Sequence, residues 1–300
     1  MNRYLSTRDG FGRGLEEAGE KNENLVALSA DLSDSTRMSY FKNKFPERYI
    51  ELGVAEQNLA GVAAGMALAG KIPFIASYAV FSPGRNWEQI RNSICLANLP
   101  VKIVGAHAGV SVGPDGATHQ ALEDIALMRV LPNMTVLVPA DYEETRKATI
   151  AAVYYKGPVY IRLAREATPC FTSEKDKFII GRANLLNSGR KATIISAGPV
   201  TYEALLAAQE TDSDLINCHT VKPLDQETIL KSVKKTKKVI TIEEHQISGG
   251  LGSAVAEFLS EIYPVKIIRL GIKDRFGESG RPEELMKKFG LIKEEIIKYV

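Results

Sequence analysis

The sequence predicts an α/β protein of two domains, each a mostly parallel sheet flanked by helices, and three observations lead there. Short apolar, β-branched runs alternate with segments of helical length, and strands joined by helix-length connections pair in parallel. The alternation stops at the polar, proline-containing stretch "REATPCFTSEKDK" and then restarts. The chain has 300 residues, 45% hydrophobic and 25% charged, which is enough for two compact cores. The expected division is a first domain over 1–170, a linker over 171–189 and a second domain over 190–300.

In chain order the expected strands of the first domain are "NLVALSAD", "RYIELG", "IPFIASYAV", "VKIVGAHA", "MTVLVPA" and "PVYIRLA". Between them "NWEQIRNSICLANL" and "YEETRKATIAAVYY" have helical length. The stretch "ELGVAEQNLAGVAAGMALAG" has one negative charge after its opening residue, Glu56, set among small apolar residues. In the first turn of a helix that carboxylate gains roughly 0.3–1 kcal/mol from the dipole. The second domain repeats the strand pattern in "KATIISAG", "DLINCHTV", "KKVITIEE" and "VKIIRLG". Its "EEHQISGG" places His245 where it is expected to cap a glycine-rich helix start.

Charge and cysteines narrow the function classes. A formal charge of +2 with no basic stripe argues against nucleic acid and anionic membranes as partners. The N-terminal "MNRYLSTRDGFGRGLEE" lacks an apolar signal core, and no apolar run reaches the roughly 18 residues of a spanning helix. Cys95, Cys170 and Cys218 form no CxxC pair, the usage of a reducing cytoplasm. Proteins and small molecules are the partners to expect.

In open parallel sheets ligands bind beyond the carboxyl ends of the strands. The loops there read "DLSDST", "GVAEQ", "SYAVFSPGRN", "HAGVSVGPDGATHQ" and "AREATP", and one of them holds two of the four histidines. Each polar residue in them also has an ordinary role as cap, turn or core member. Their joint placement at strand ends is what suggests a site.

"GVAEQNLAGVAAGMALAG", "SYAVF" and "GAHAGVSVGPDGATHQALEDIALMRVLPNMTVLVPAD" resemble the pyrimidine-binding domain of transketolase. "TIEEHQISGGLGSAVAEFL" and "GIKDRFGESG" resemble the C-terminal domain of the same thiamine-diphosphate enzymes, so the resemblance covers nearly the whole chain. It implies that Glu56 meets ring nitrogen N1′ of the cofactor and shares a proton with it. It implies that Tyr78 and Phe81 hold the pyrimidine by stacking, and that Asp31 and Leu32 lie beside the thiazolium. Asp115 and His119 match residues that hydrogen-bond sugar hydroxyls, His119 also assisting proton transfer; Arg8, Ser35, His107 and Arg165 match those around the phosphate. "GATHQ" departs from the family in having Ala117 where proline is common, which removes no functional group.

A larger departure concerns the metal. The family builds its Mg²⁺ and diphosphate site from a GDG motif followed by an asparagine, and neither "RDGFG" nor "PDGATHQ" begins such a segment. The resemblance therefore implies the C-terminal half of a split transketolase, a transferase of carbohydrate metabolism and the pentose phosphate pathway. The Mg²⁺ ligands are then expected from a separate N-terminal subunit, in an α2β2 heterotetramer. The implied reaction moves a two-carbon ketol unit from a ketose phosphate to an aldose phosphate. The alternatives are a deoxyxylulose-phosphate synthase-like or 2-oxo acid dehydrogenase β-like subunit, or a non-catalytic interaction subunit of the same fold.

Overall fold

The computed structural model describes residues 3–300. Among them the strands are β1 (Tyr4–Ser6), β2 (Leu25–Ser29), β3 (Tyr49–Glu51), β4 (Ile72–Tyr78), β5 (Lys102–Ala106), β6 (Thr135–Leu137), β7 (Val159–Arg162), β8 (Ala167–Pro169), β9 (Asn184–Asn187), β10 (Thr193–Ser196), β11 (Asp214–Asn217), β12 (Thr220–Lys222), β13 (Val239–Gln246) and β14 (Ile267–Ile272). The chain forms two α/β domains. The first sheet has the order β12-β6-β7-β5-β4-β2-β3, all parallel except the edge pair β12 and β6. The second has the order β14-β13-β10-β11-β9, with β9 alone antiparallel. β9 lies inside the stretch read as linker, and β12 crosses from the second half of the chain to the first sheet. β1 and β8 pair as a small separate ribbon.

Helices cover both faces of the first sheet, so its central strands are buried on both sides and read as nearly continuous apolar runs. On one face the Thr7–Lys21 and Tyr142–Tyr154 helices pack with Phe11, Leu15, Phe74, Ala148 and Ile161. Each begins where a side chain accepts an otherwise unpaired amide: Ser6 from Asp9, and Asp141 from Glu144 at 3.0 Å. Asp141 also accepts the amides of Phe171 and Thr172, which fastens the start of the connecting segment. The opposite face is shared with the second domain. Leu59, Ile75 and Val136 lie in one core with Ile195, Ile216, Val255 and Leu259.

Two local expectations need correction. The segment from Asn86 to Leu99 is not one α-helix: a short turn at Trp87–Gln89 runs into a π-wound stretch, Ile90–Cys95. The wider winding turns Ile90, Ile94 and Cys95 inward together. His245 does not cap the Leu251–Ile262 helix. Glu243 does, accepting the amides of Leu251 at 2.7 Å and Gly252 at 2.8 Å, while buried His245 reaches the Ala126 amide at 3.4 Å. A carboxylate satisfies two orphan amides at once, which a single ring nitrogen cannot. No helix of the described residues is long and apolar enough to cross a membrane.

Candidate active site

β2, β4, β5 and β7 are parallel neighbours, so their carboxyl ends lie side by side and their loops share one rim. Glu56 opens the Glu56–Leu68 helix on that rim and is only 4% exposed. Its carboxylate takes the Ser77 hydroxyl at 3.4 Å and is bridged by Arg85 Nη1, 3.3 Å from each oxygen. Asn86 donates to its backbone carbonyl at 3.0 Å. The small residues behind it, Ala60, Ala63 and Ala64, let the helix lie close against the sheet.

Aromatic rings flank this carboxylate. Tyr78 stacks with Phe81 at a centroid distance of 5.9 Å and an angle of 17°, and with His107 at 3.9 Å. His119 meets Phe81 edge-on at 5.5 Å and Tyr78 at 6.1 Å. The Arg85 guanidinium lies 4.0 Å from the Phe81 centroid, so one arginine joins the carboxylate to the aromatic pair. Asp31 and His107 have left-handed backbones, φ 61° and 55°, which turn the chain sharply at the ends of β2 and β5.

The third group is cationic. Arg8 donates from Nε to the Arg165 carbonyl at 3.1 Å and from Nη1 to the Ser35 carbonyl at 2.7 Å. Ser35 thus contributes a backbone oxygen that aims the arginine. Burial and the nearby Arg37 and Arg165 charges lower the Arg8 pKa, partly offset by Asp9. Burial and the charges of Arg8, Arg165 and Arg37 push the His107 pKa down to about 3, so the ring is neutral in ordinary buffers. Its Nδ1 is buried without a partner among the described residues. Arg165 Nη1 donates to the Val112 carbonyl at 2.7 Å, tying the cluster to the loop that carries Asp115 and His119.

The residues singled out from sequence thus fall into three sets on one rim: Glu56; Tyr78, Phe81, His107 and His119; and Arg8, Ser35 and Arg165. Asp31 and Asp115 are exposed and make no side-chain hydrogen bond or ion pair among the described residues, while Leu32 is half-buried beside Asp31. Sequence reading passed over Arg85 and Arg37. Arg85 was within reach, since it stands in the loop after β4. Arg37 follows a short helix, and its link to the cluster, through Asp9 at 2.7 Å, is tertiary.

A flat, nitrogen-rich cofactor ring fits these groups: a buried carboxylate for a ring nitrogen, aromatic faces for stacking and an unsatisfied imidazole nitrogen. Among the described residues no three histidine, cysteine or acidic side chains converge to hold a metal.

Comparison with known proteins identifies the family. Residues 3–170 match the transketolase pyrimidine-binding domain and residues 181–296 the transketolase C-terminal domain. A chain of Methanocaldococcus jannaschii, named provisionally as a transketolase C-terminal section, is 46% identical over 99% of this chain and 96% of its own. A 6-deoxy-6-sulfo-D-fructose transketolase subunit of a Clostridium species is 43% identical over 97% of this chain and 92% of its own. Among solved structures, a split-gene transketolase described as an inactive β4 tetramer is 46% identical, covers 98% of this chain and 97% of its own, and superposes with a TM-score of 0.92. The chain belongs to the transketolase family and comprises its pyrimidine-binding and C-terminal domains.

Proposed function

We propose that the chain is the C-terminal subunit of a transketolase, moving a two-carbon ketol unit from a ketose phosphate to an aldose phosphate together with a separate N-terminal subunit. The observation that carries this reading is the buried Glu56 carboxylate, set beside Tyr78 and Phe81 on the rim that also holds Arg8 and Arg165. The bound cofactor, thiamine diphosphate, supplies the electron sink needed to break and remake a carbon–carbon bond. Glu56 holds a proton at the ring nitrogen, and Tyr78 and Phe81 orient the ring by its face. Asp31 and Leu32 border the thiazolium side. His119 hydrogen-bonds a substrate hydroxyl and moves its proton, and Asp115 orients a second hydroxyl. Arg8 and Arg165, aimed by backbone carbonyls, hold the anionic end with neutral His107 and the Ser35 turn. The Mg²⁺ ligands belong to the N-terminal subunit, and the assembly is α2β2. The inactive β4 tetramer of a 46% identical chain supports a required second subunit.

The test is steady-state kinetics of the chain reconstituted with its N-terminal subunit, thiamine diphosphate and Mg²⁺. Arg165→Ala should raise KM for phosphorylated ketoses by about tenfold or more, since a charge-assisted hydrogen bond contributes roughly 1.5–3 kcal/mol. KM for unphosphorylated hydroxypyruvate should stay nearly unchanged. Equal losses for both donors would make Arg165 structural. Ketol transfer from no phosphorylated ketose by the wild type would overturn the reading, and CO₂ release from pyruvate would move it to the synthase-like alternative. A 6-deoxy-6-sulfo ketose is the second donor to try, because the Clostridium relative is named for it and a sulfonate offers the same arginines an anion.

A further inference from the structure

The second domain contributes nothing to the three sets of side chains above, yet it reaches the loop that carries Asp115 and His119. Glu244, near the end of β13 and 3% exposed, accepts the backbone amide of Ser111 at 2.5 Å through Oε1. Its own carbonyl accepts Arg162 Nη2 at 2.8 Å, and Arg162 Nε is paired with Asp124 at 2.8 Å. The carboxylate therefore stands on a buried frame that spans both domains. The loop has adapted to it: at Gly109, with φ 92°, a Cβ would collide with the Glu244 carboxylate.

A second fastening lies on the other side of the loop. Buried Gln120 donates from Nε2 to the carbonyls of Val110 at 3.1 Å and Gly113 at 3.3 Å, and to Glu278 of the second domain at 2.9 Å. The 277–282 segment closes over the loop. A Cβ at Gly116 would strike the Ser279 hydroxyl, and one at Gly113 would come within 3.1 Å of the Pro282 ring. The first domain holds the loop too, through the Arg165 bond to the Val112 carbonyl and the buried Val110 and Val112, but Val110–Asp115 is itself a short, kinked 3₁₀ stretch with Gly113 at φ 83°, so the two second-domain contacts add constraint where regular structure is weakest.

We propose that Glu244 and Gln120 are positioning residues for the transferase reaction: they clamp the 109–120 loop between the two domains so that His119 faces the Tyr78 and Phe81 rings, with Asp115 held on the same loop. The inference rests on the function proposed above, in which Asp115 and His119 meet the substrate. The second domain is then part of the substrate site. Binding of the cofactor ring, which depends on Glu56, Tyr78 and Phe81, should not need the clamp.

Two measurements test this. In the purified chain, amide hydrogen exchange over 109–120 should quicken by about tenfold or more in Glu244→Ala, while the Glu56–Leu68 helix and the central strands keep their protection. Gln120→Ala, which leaves every charge in place, should do the same. Glu244→Gln keeps an acceptor oxygen for Ser111 and should restore most of the protection. In the reconstituted enzyme, Glu244→Ala should lower kcat by about thirtyfold or more with little change in cofactor Kd, and should cost less than about threefold further in a His119→Ala background, because residues acting through one another are not additive. Unchanged exchange over 109–120 in both alanine variants would overturn the proposal. So would faster exchange spread evenly over both domains, or losses that multiply with His119→Ala. An inactive wild-type complex would count against the transketolase reading alone, since the exchange measurement judges the clamp without turnover.

Discussion

Glu56 and Glu144 are both carboxyl groups in the first turn of a helix and nearly excluded from water, yet they answer to different neighbours. Glu56 has Arg85 beside it, and the same guanidinium lies over the Phe81 ring. If it governs the proton on the cofactor ring, Glu56→Gln in the reconstituted enzyme should retain the fold and lose at least about a hundredfold in kcat, the scale of lost acid–base catalysis. Hydrogen–deuterium exchange at the reactive carbon of the bound cofactor is the direct readout, and a near-normal rate would leave Glu56 only its helix-dipole role. Glu144 is instead buried beneath the connecting segment, where burial pushes its pKa up to about 7 against hydrogen bonds from the Ala140 amide and Asn217. The unfolded value is about 4.3, so the folded state holds the extra proton between the two values. Stability should therefore fall as pH rises from about 4.3 to about 7 and level off above, by as much as about 4 kcal/mol at 1.36 kcal/mol per pKa unit. Glu144→Gln should remove that slope. Asn217 Oδ1 has no partner among the described residues, so its side-chain amide can reverse and accept from the new one. Calorimetric melting should show the variant above wild type at pH 8 and level with it near pH 5. Candidate positions such as Tyr78 and His119 could be named from sequence because they stand in loops at strand ends and in stretches that resemble the family. The Arg85 bridge and the orphaned His107 nitrogen could not, since both are relations between loops after different strands.

Strands set in longer apolar runs announced themselves, even the three-residue Tyr49–Glu51 and Thr135–Leu137, and those without such a run did not. The alternation in the first half gave every long strand of the first sheet and the Tyr142–Tyr154 helix within a few residues. β1, β8 and β9 are short and set among polar residues that break any apolar run, and the start of β12 was read as the end of the run "DLINCHTV" that contains β11. The contact between the Thr7–Lys21 and Tyr142–Tyr154 helices was hidden for another reason. Glycines at 10 and 14 weaken the first helix by propensity, but they let the two backbones meet. A Cβ on Gly14 would lie 2.6 Å from the Arg146 carbonyl oxygen and 3.0 Å from Thr149 Cβ. In an exposed helix Gly→Ala gains about 1 kcal/mol. Here Gly14→Ala should lose roughly 1–3 kcal/mol by overpacking and displace the helix that carries Arg8. Chemical denaturation checks the sign: a stabilised variant would show that the helices can separate without penalty.

At the scale of the whole molecule, the two-domain plan was readable from the restart of the strand pattern, whereas the way the halves interlock was not. No local period reports that Leu59 and Ile75 share a core with Val255 and Leu259, or that Thr220–Lys222 completes the edge of the sheet begun at Leu25. That edge strand has a consequence in time as well as in space. A chain emerging from the ribosome delivers β6 long before β12, and the Leu251–Ile262 helix that packs on the shared core comes later still. N-terminal domains generally fold first during synthesis, but here the pairing is distant in sequence and the early half has an unfinished edge and an uncovered apolar face. Ribosome-stalled chains exposing only residues 1–190 should be cut readily by a protease pulse, and resistance should appear only once the stretch through Ile262 has emerged. Resistance already complete at the shorter length would mean that the first domain matures alone. If it does not, for much of its synthesis this protein is a half-built sheet that waits for its last strand and depends on chaperones to keep that edge from pairing with another chain.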